Sequence, residues 1–478
     1  MRAKPARRLL ALLGVLGAAG LAAPAGALAH GIVGRADLPI PVWLFSWAAA
    51  IVLVVSFVAL STLWTKPRLQ KQHRWALVRL PNALEWLACL IGVGLFALVV
   101  YSGFAGAQVP LANFSVTFIY VVFWVGTPLA SVLFGDIFRA LSPWRTCARV
   151  LGALVRAIRG GGRSAPPLRY PEWLGMWPAV ATIVGFAWLE LIYIPADREH
   201  PATLAVLSLA YFLVALAGMM LFGVQEWGGR ADGFAAYFNL LSRLSAVVRG
   251  EDGMICLRRP LSGLTDLEIR PGMIALICAI IGTTTFDGFS NGGIWRSIEP
   301  SLQSLFADLG FSQTPALELA YSVGLVFCLG LIGGVYRLGI AGVRSVSARY
   351  DTPRLMHAFA HTLVPIGFAY VLAHYFSLLI WNGQAIGYLA SDPLGNGANL
   401  LGTSSYQIDY SIISFAAIWY VQVAALLTGH VGGLALAHDR ALAMYDNVEE
   451  AVRSQYWMLA VMVAFTSFGL WLLSAVGT

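Results

Sequence analysis

The sequence predicts an all-α protein, a polytopic transmembrane bundle of about ten helices behind a cleavable signal peptide, with both mature ends outside the cytoplasm (N-out and C-out). Three observations lead there. Hydrophobic residues make up 58% of the 478-residue chain and charged ones 12%, with a mean hydropathy of +0.73. Such a chain carries more apolar surface than water tolerates, so the lipid bilayer is its expected partner. The apolar residues gather into ten runs, each long enough to cross a hydrocarbon layer of roughly 30 Å at about 1.5 Å per residue. Basic residues, finally, crowd into alternate connecting segments. The formal charge of +7 therefore reads as a topology signal and not as a nucleic-acid surface.

Residues 1–29 open with Arg2, Lys4, Arg7 and Arg8, continue through an apolar stretch from Leu9 to Ala23, and close on Ala27-Leu28-Ala29. This is the pattern of a secretory signal peptide. Cleavage after Ala29 makes His30 the first mature residue and leaves 30–478 as a single transmembrane domain. The apolar runs fall near 42–64, 83–101, 113–135, 174–194, 202–224, 271–288, 315–337, 355–381, 408–436 and 456–476. Two long cytoplasmic segments are expected near 136–172 and 225–270. The first begins amphipathically (Ile137, Phe138, Leu141, Trp144) and runs into a Gly- and Pro-rich basic loop; within the second, Gly233 to Val248 has the spacing of an interfacial helix.

Charge placement tests the division. With an external N-terminus, the cytoplasmic segments hold 24 Lys and Arg, the external ones only Arg35, Arg198 and Arg296, and the signal peptide the remaining four. No basic residue is left inside a helix. An odd number of helices breaks this alternation, so the chain is expected in a bacterial cytoplasmic membrane as a multi-pass protein.

Titratable side chains in hydrocarbon cost several kcal/mol and call for a partner or a task. Three of them share a depth. Glu190, Asp287 and His374 lie six or seven residues outward from the midpoints of helices four, six and eight, about 9 to 10 Å toward the external face. Two carboxylates and an imidazole suit a divalent metal such as Zn, Mn or Fe, and a water bound there is acidified toward neutral pH. In that reading Asp287 and Glu190 are also the catalytic carboxylates. Polar Thr283-Thr284-Thr285 and the Gly-rich Ser290 to Trp295 segment surround the layer, with Glu318, Asp409 and Tyr193 near the same mouth.

A second layer lies inward. His361 on helix eight and His430 on helix nine match in depth, and His357 precedes His361 at i, i+4 spacing. Such a cluster can bind a metal or supply haem ligands. The α-amino group and imidazole of His30 form a third candidate, for copper. Each of these groups also has a purely structural reading, as a hydrogen-bonded side chain.

Ala29-His30-Gly31 with the following Gly34 to Leu44 segment, and Thr285-Phe286-Asp287-Gly288-Phe289-Ser290 with Trp295, resemble a family of uncharacterised bacterial multi-pass membrane proteins, some of whose members carry the label fenitrothion hydrolase. The likeness runs over nearly the whole chain. It implies hydrolysis of a phosphorothioate triester and assigns no catalytic residues.

Three functions follow as expectations. One is a metal-dependent hydrolase acting on an apolar phosphate or phosphorothioate ester at the external layer. Another is a transporter or permease for a small solute or metal ion, with the two layers roughly 20 Å apart along its pathway. The third is a haem- or copper-binding redox protein. The chain has no GxxxxGK[ST] phosphate-binding loop, which argues against ATP-driven transport within it. Nothing in the sequence identifies a partner membrane subunit.

Overall fold

The computed structural model describes residues 42–71, 73–160, 165–193, 198–250, 253–346 and 349–475; the signal peptide and His30 lie outside them. All ten apolar runs fold as helix. Among the described residues nine helices are long and apolar enough to cross a membrane. In chain order these are α1 (Val42–Leu63), α2 (Asn82–Ala105) and α3 (Phe114–Phe134). After α4 (Pro143–Ile158) come α5 (Trp177–Leu191) and α6 (Pro201–Phe222). The short α7 (Gly233–Ser242) precedes α8 (Met273–Ser290), and α9 (Gly293–Asp308) precedes α10 (Gln313–Val346). Next are α11 (Val364–Trp381) and α12 (Phe415–Met444). The tenth apolar run is α13 (Tyr456–Ala475).

α8 is the centre of the bundle. It packs against α5, α10 and α11, and 83% of its apolar window is buried, against 17% for α2. This position explains how a transmembrane helix tolerates three consecutive threonines and an aspartate: they face protein and not lipid. Thr283, Thr284 and Thr285 each donate a hydroxyl hydrogen bond to the carbonyl four residues back, at 2.8 to 3.1 Å. Around this centre, α11 runs along α12, α1 packs on α12 and α13, and α2 packs on α6.

Several expectations change. The chain is a mostly helical bundle, as expected, with one small addition: β1 (Arg74–Arg79), β2 (Val247–Arg249) and β3 (Met254–Arg258) form an antiparallel sheet in the order β1-β3-β2. The signal was present, since two β-rich runs flank Gly250 and Gly253, a hairpin arrangement, and Gly253 takes a left-handed φ of 79°. Long apolar runs elsewhere masked it. The amphipathic start of 136–172 extends as helix to Ile158 and packs on α2 and α6. The expected interfacial helix at 233–248 is instead α7, capped by Asp232 and buried along most of its length between α3 and α5; its Phe, Tyr and Leu side chains gain more inside the bundle than at an interface. The Gly-rich mouth at 283–295 is continuous helix through Ser290, because hydroxyl back-bonding satisfies its polar side chains within the helix.

Helix nine also shifts. The 408–436 run becomes Phe415–Met444, while Asp409 sits in an exposed loop and accepts hydrogen bonds from Ser411. The helix gains a capping serine, Ser414, whose side chain accepts from the Ala417 amide. Its C-terminal part is anchored by Asp439, a fully buried carboxylate that accepts from Trp64 Nε1 (3.1 Å), the Arg68 amide (2.5 Å), the Leu69 amide (3.1 Å) and Gln70 Nε2 (2.7 Å). One side chain thereby fixes the turn leaving α1.

Candidate functional site

The packing of α8 on α11 brings two of the three outer residues into contact. His374 Nε2 lies 2.5 Å from Asp287 Oδ2, with the side chains 5% and 2% exposed. A bond this short between a buried imidazole and a buried carboxyl group is of the charge-assisted kind. One helical turn beyond, the Asn291 amide donates to the Asp287 carbonyl at 2.8 Å and to Asp287 Oδ1 at 3.2 Å. Asn291 thus orients the carboxylate. The sequence placed it beside the layer without that role, and its i+4 spacing from Asp287 on a helix was the available signal.

Glu190, on α5, lies beside Trp124 and Tyr375 and within electrostatic reach of Asp287 and Arg198. Both the Trp124 indole N–H and the Tyr375 hydroxyl are within side-chain hydrogen-bonding reach of its carboxyl group, so these donors and the acceptor face the same interior. Trp124 reaches it from an unusual segment, Phe118–Gly126 of α3, which winds as π-helix and buries Ile119, Val121, Trp124 and Val125. Such segments are rare and concentrate at functional sites. Glu318 is half-buried with Oε1 unpaired.

The inner histidines do not form the expected cluster. His357 is exposed on the helix Thr352–Phe359, whereas His361 is buried in the 3₁₀ turn Ala360–Leu363. The tighter winding breaks the i, i+4 alignment that an unbroken α-helix provides. His361 Nε2 has no hydrogen-bond partner.

His430 lies further out than its index suggested. Gly429 meets Pro365 and Ala369, and Gly433 meets Thr362 and Ile366, so His430 stands level with residues 365–369 of α11. The later start of α12 accounts for this. Its Nδ1 donates to the Leu426 carbonyl at 2.7 Å; a carbonyl only accepts, so Nδ1 holds the proton and Nε2 keeps a free lone pair. That Nε2 is buried and unpartnered, and the residue lines a cavity of about 70 Å³ with Tyr336, Thr362 and Phe465, large enough for water.

From the start of α11 toward Trp381, His361, His430 and the Asp287–His374 pair therefore form three steps along α11 and α12, each about 10 Å from the next by residue count. Among the described residues no group of three His, Cys, Asp or Glu side chains converges as a metal would require. His30 lies outside the described residues.

A separate buried carboxylate caps the start of α7. Asp232 accepts from Trp144 Nε1 (2.5 Å), Tyr211 Oη (2.7 Å) and the Ala235 amide (3.1 Å). Burial pushes its carboxyl above the ordinary 3.8, with the hydrogen bonds from Tyr211, Ala235 and Trp144 opposing the shift.

Comparison of the chain with family models, with curated proteins and with solved structures returns no match.

Proposed function

We propose that this chain is a transporter of a bacterial cytoplasmic membrane, moving a small solute in exchange for protons that the buried titratable side chains carry through the bundle. The observation that carries this reading is the stepwise placement of His361, His430 and the Asp287–His374 pair across the core, on helices packed directly against one another. Buried Asp, Glu and His in a membrane bundle are retained at a cost, and proton relays are what repays it. In this scheme the Asp287–His374 pair takes up a proton from the external side, through the layer that Glu190 also faces. His430 Nε2, an unprotonated base beside a water-sized cavity, relays it inward to His361. Arg440 lies within electrostatic reach of His361 and disfavours its holding a second charge, which returns the proton toward the cytoplasm.

The test uses everted vesicles from cells expressing the protein, energised to a pH gradient and reported by acridine orange. Solutes and metal ions are added singly from a panel. At least one is expected to dissipate the gradient in wild-type vesicles, and Asp287→Asn and His374→Gln to abolish that response. A response that survives both substitutions, or its absence across the panel, refutes the reading.

A second reading rests on one observation, the buried Glu190 carboxyl group in electrostatic reach of Asp287. By donor chemistry Asp287 and His374 would hold a divalent metal, which would supply an acidified water for ester hydrolysis, and Glu190 would serve as its general base; among the described residues the three do not converge as one metal group. Hydrolysis of a neutral aryl phosphate triester, lost in Glu190→Gln with metal content and proton exchange retained, favours hydrolysis over transport.

A further inference from the structure

We infer that the chain binds a neutral, ring-bearing molecule taken from the bilayer in a cavity separate from the titratable steps. The cavity lies between α2, α3, α4, α5, α6 and α7, open on one side, with a volume of about 590 Å³. That is within the range of small-molecule sites, and an apolar cavity of about 150 Å³ already holds one benzene; roughly three linked rings fit. Ten of its 25 lining residues are aromatic and none is charged. Uncharged walls of ring faces and edges select a neutral aromatic ligand, since a charged one pays full desolvation with no counter-ion.

The two polar ring residues at its cytoplasmic end are already committed. Trp144 and Tyr211 line the cavity, yet their N–H and O–H donors are both held by Asp232, so they present ring surface and not polar edges. Entry is from lipid: Leu207 lines the cavity and is 40% exposed on the outside of the transmembrane helix α6. Gly185 lies at the open side of the cavity: the residue is exposed and a Cβ built there meets nothing within 4 Å, so a large side chain at 185 would project into the opening. The cavity wall also adjoins the outer layer, because Phe186 packs against Trp124 with its ring tilted by 48°, centroids 4.6 Å apart, and Trp124 lies beside Glu190.

Benzophenone, a neutral photoprobe, is equilibrated with the full chain in phosphatidylcholine nanodiscs and irradiated, and the adducts are located by peptide mass spectrometry. Adducts are expected to concentrate on peptides from α2, α5 and α6, to saturate with probe concentration and to be displaced by unlabelled pyrene. Gly185→Phe projects into the opening and is expected to abolish them. Gly330→Phe, on an exposed face of α10 where a Cβ also meets nothing, is expected to label as wild type. Adducts that rise linearly with probe and spread over the lipid-facing helices overturn the inference. So does labelling of the cavity by a diazirine-bearing phosphatidylcholine acyl chain that pyrene cannot displace, the result expected if bilayer chains fill it. Pyrene displacement in wild-type protein decides the matter even if Gly185→Phe fails to fold.

Discussion

Separating the Asp287–His374 pair is expected to cost very different amounts depending on which partner is removed. In His374→Ala a carboxyl group 2% exposed loses one of its partners and keeps others, among them the Asn291 amide at 3.2 Å; removing one partner of a buried charged pair costs about 3–5 kcal/mol. In Asp287→Ala the survivor is a buried imidazole that loses one hydrogen-bond partner, at about 1–3 kcal/mol, the cost of an unsatisfied polar atom. The pair is buried on both sides, and no discount for solvent screening applies. The double variant removes the interaction and both penalties together, and the coupling energy is expected at about 1–3 kcal/mol. The assay is a double-mutant cycle by reversible unfolding in mixed detergent micelles at neutral pH. Additivity of the two single variants within about 0.5 kcal/mol, or a larger loss for Asp287→Ala than for His374→Ala, refutes the claim that the two share a charge-assisted bond.

Three further outcomes follow. Asp439→Ala removes the acceptor for four donors between Trp64 and Gln70, at about 1–3 kcal/mol or more; trypsin added to everted vesicles should cut at Arg68 and Lys71 faster than in wild type, and an unchanged rate shows that the turn is held elsewhere. Gly429→Val forces a side chain into Pro365 and Ala369, overpacking α11 against α12 by about 1–3 kcal/mol or more; a melting temperature unchanged from wild type contradicts the close approach. The Asp232 carboxyl is raised above 3.8 by burial, so the folded state holds this proton more tightly than the unfolded one. Its contribution to stability is full below pH 3.8 and is lost as pH rises through the raised folded value. Asp232→Asn should flatten that decline, and parallel pH–stability curves for the two proteins refute the assignment.

The sequence by itself determined what one-dimensional patterns control. Hydrophobic run length set the membrane-spanning helices, because every backbone polar group in lipid must be satisfied within its own segment; nine of the ten runs reappear among the described residues as helices able to span, and the tenth as α13. Residue counts along helices also placed Asp287 and His374 at one level, since rise per residue is nearly constant. Depth along an axis is legible in this way. Direction around the axis is not.

Tertiary structure alone decided which residues at a level meet. Asp287 touches His374 because α8 occupies the centre of the bundle, while Glu190 turns toward Trp124 and Tyr375. A 3₁₀ turn at Ala360–Leu363 sends His357 outward and His361 inward. Close approach at Gly429 and Gly433 fixed the register of α12 against α11 and moved His430 between the layers, and the sheet needed β1 to reach β3 across most of the intervening bundle. Helix periodicity is a local property of the chain; rotation, register and strand pairing depend on which surfaces find each other, and packing alone supplies that.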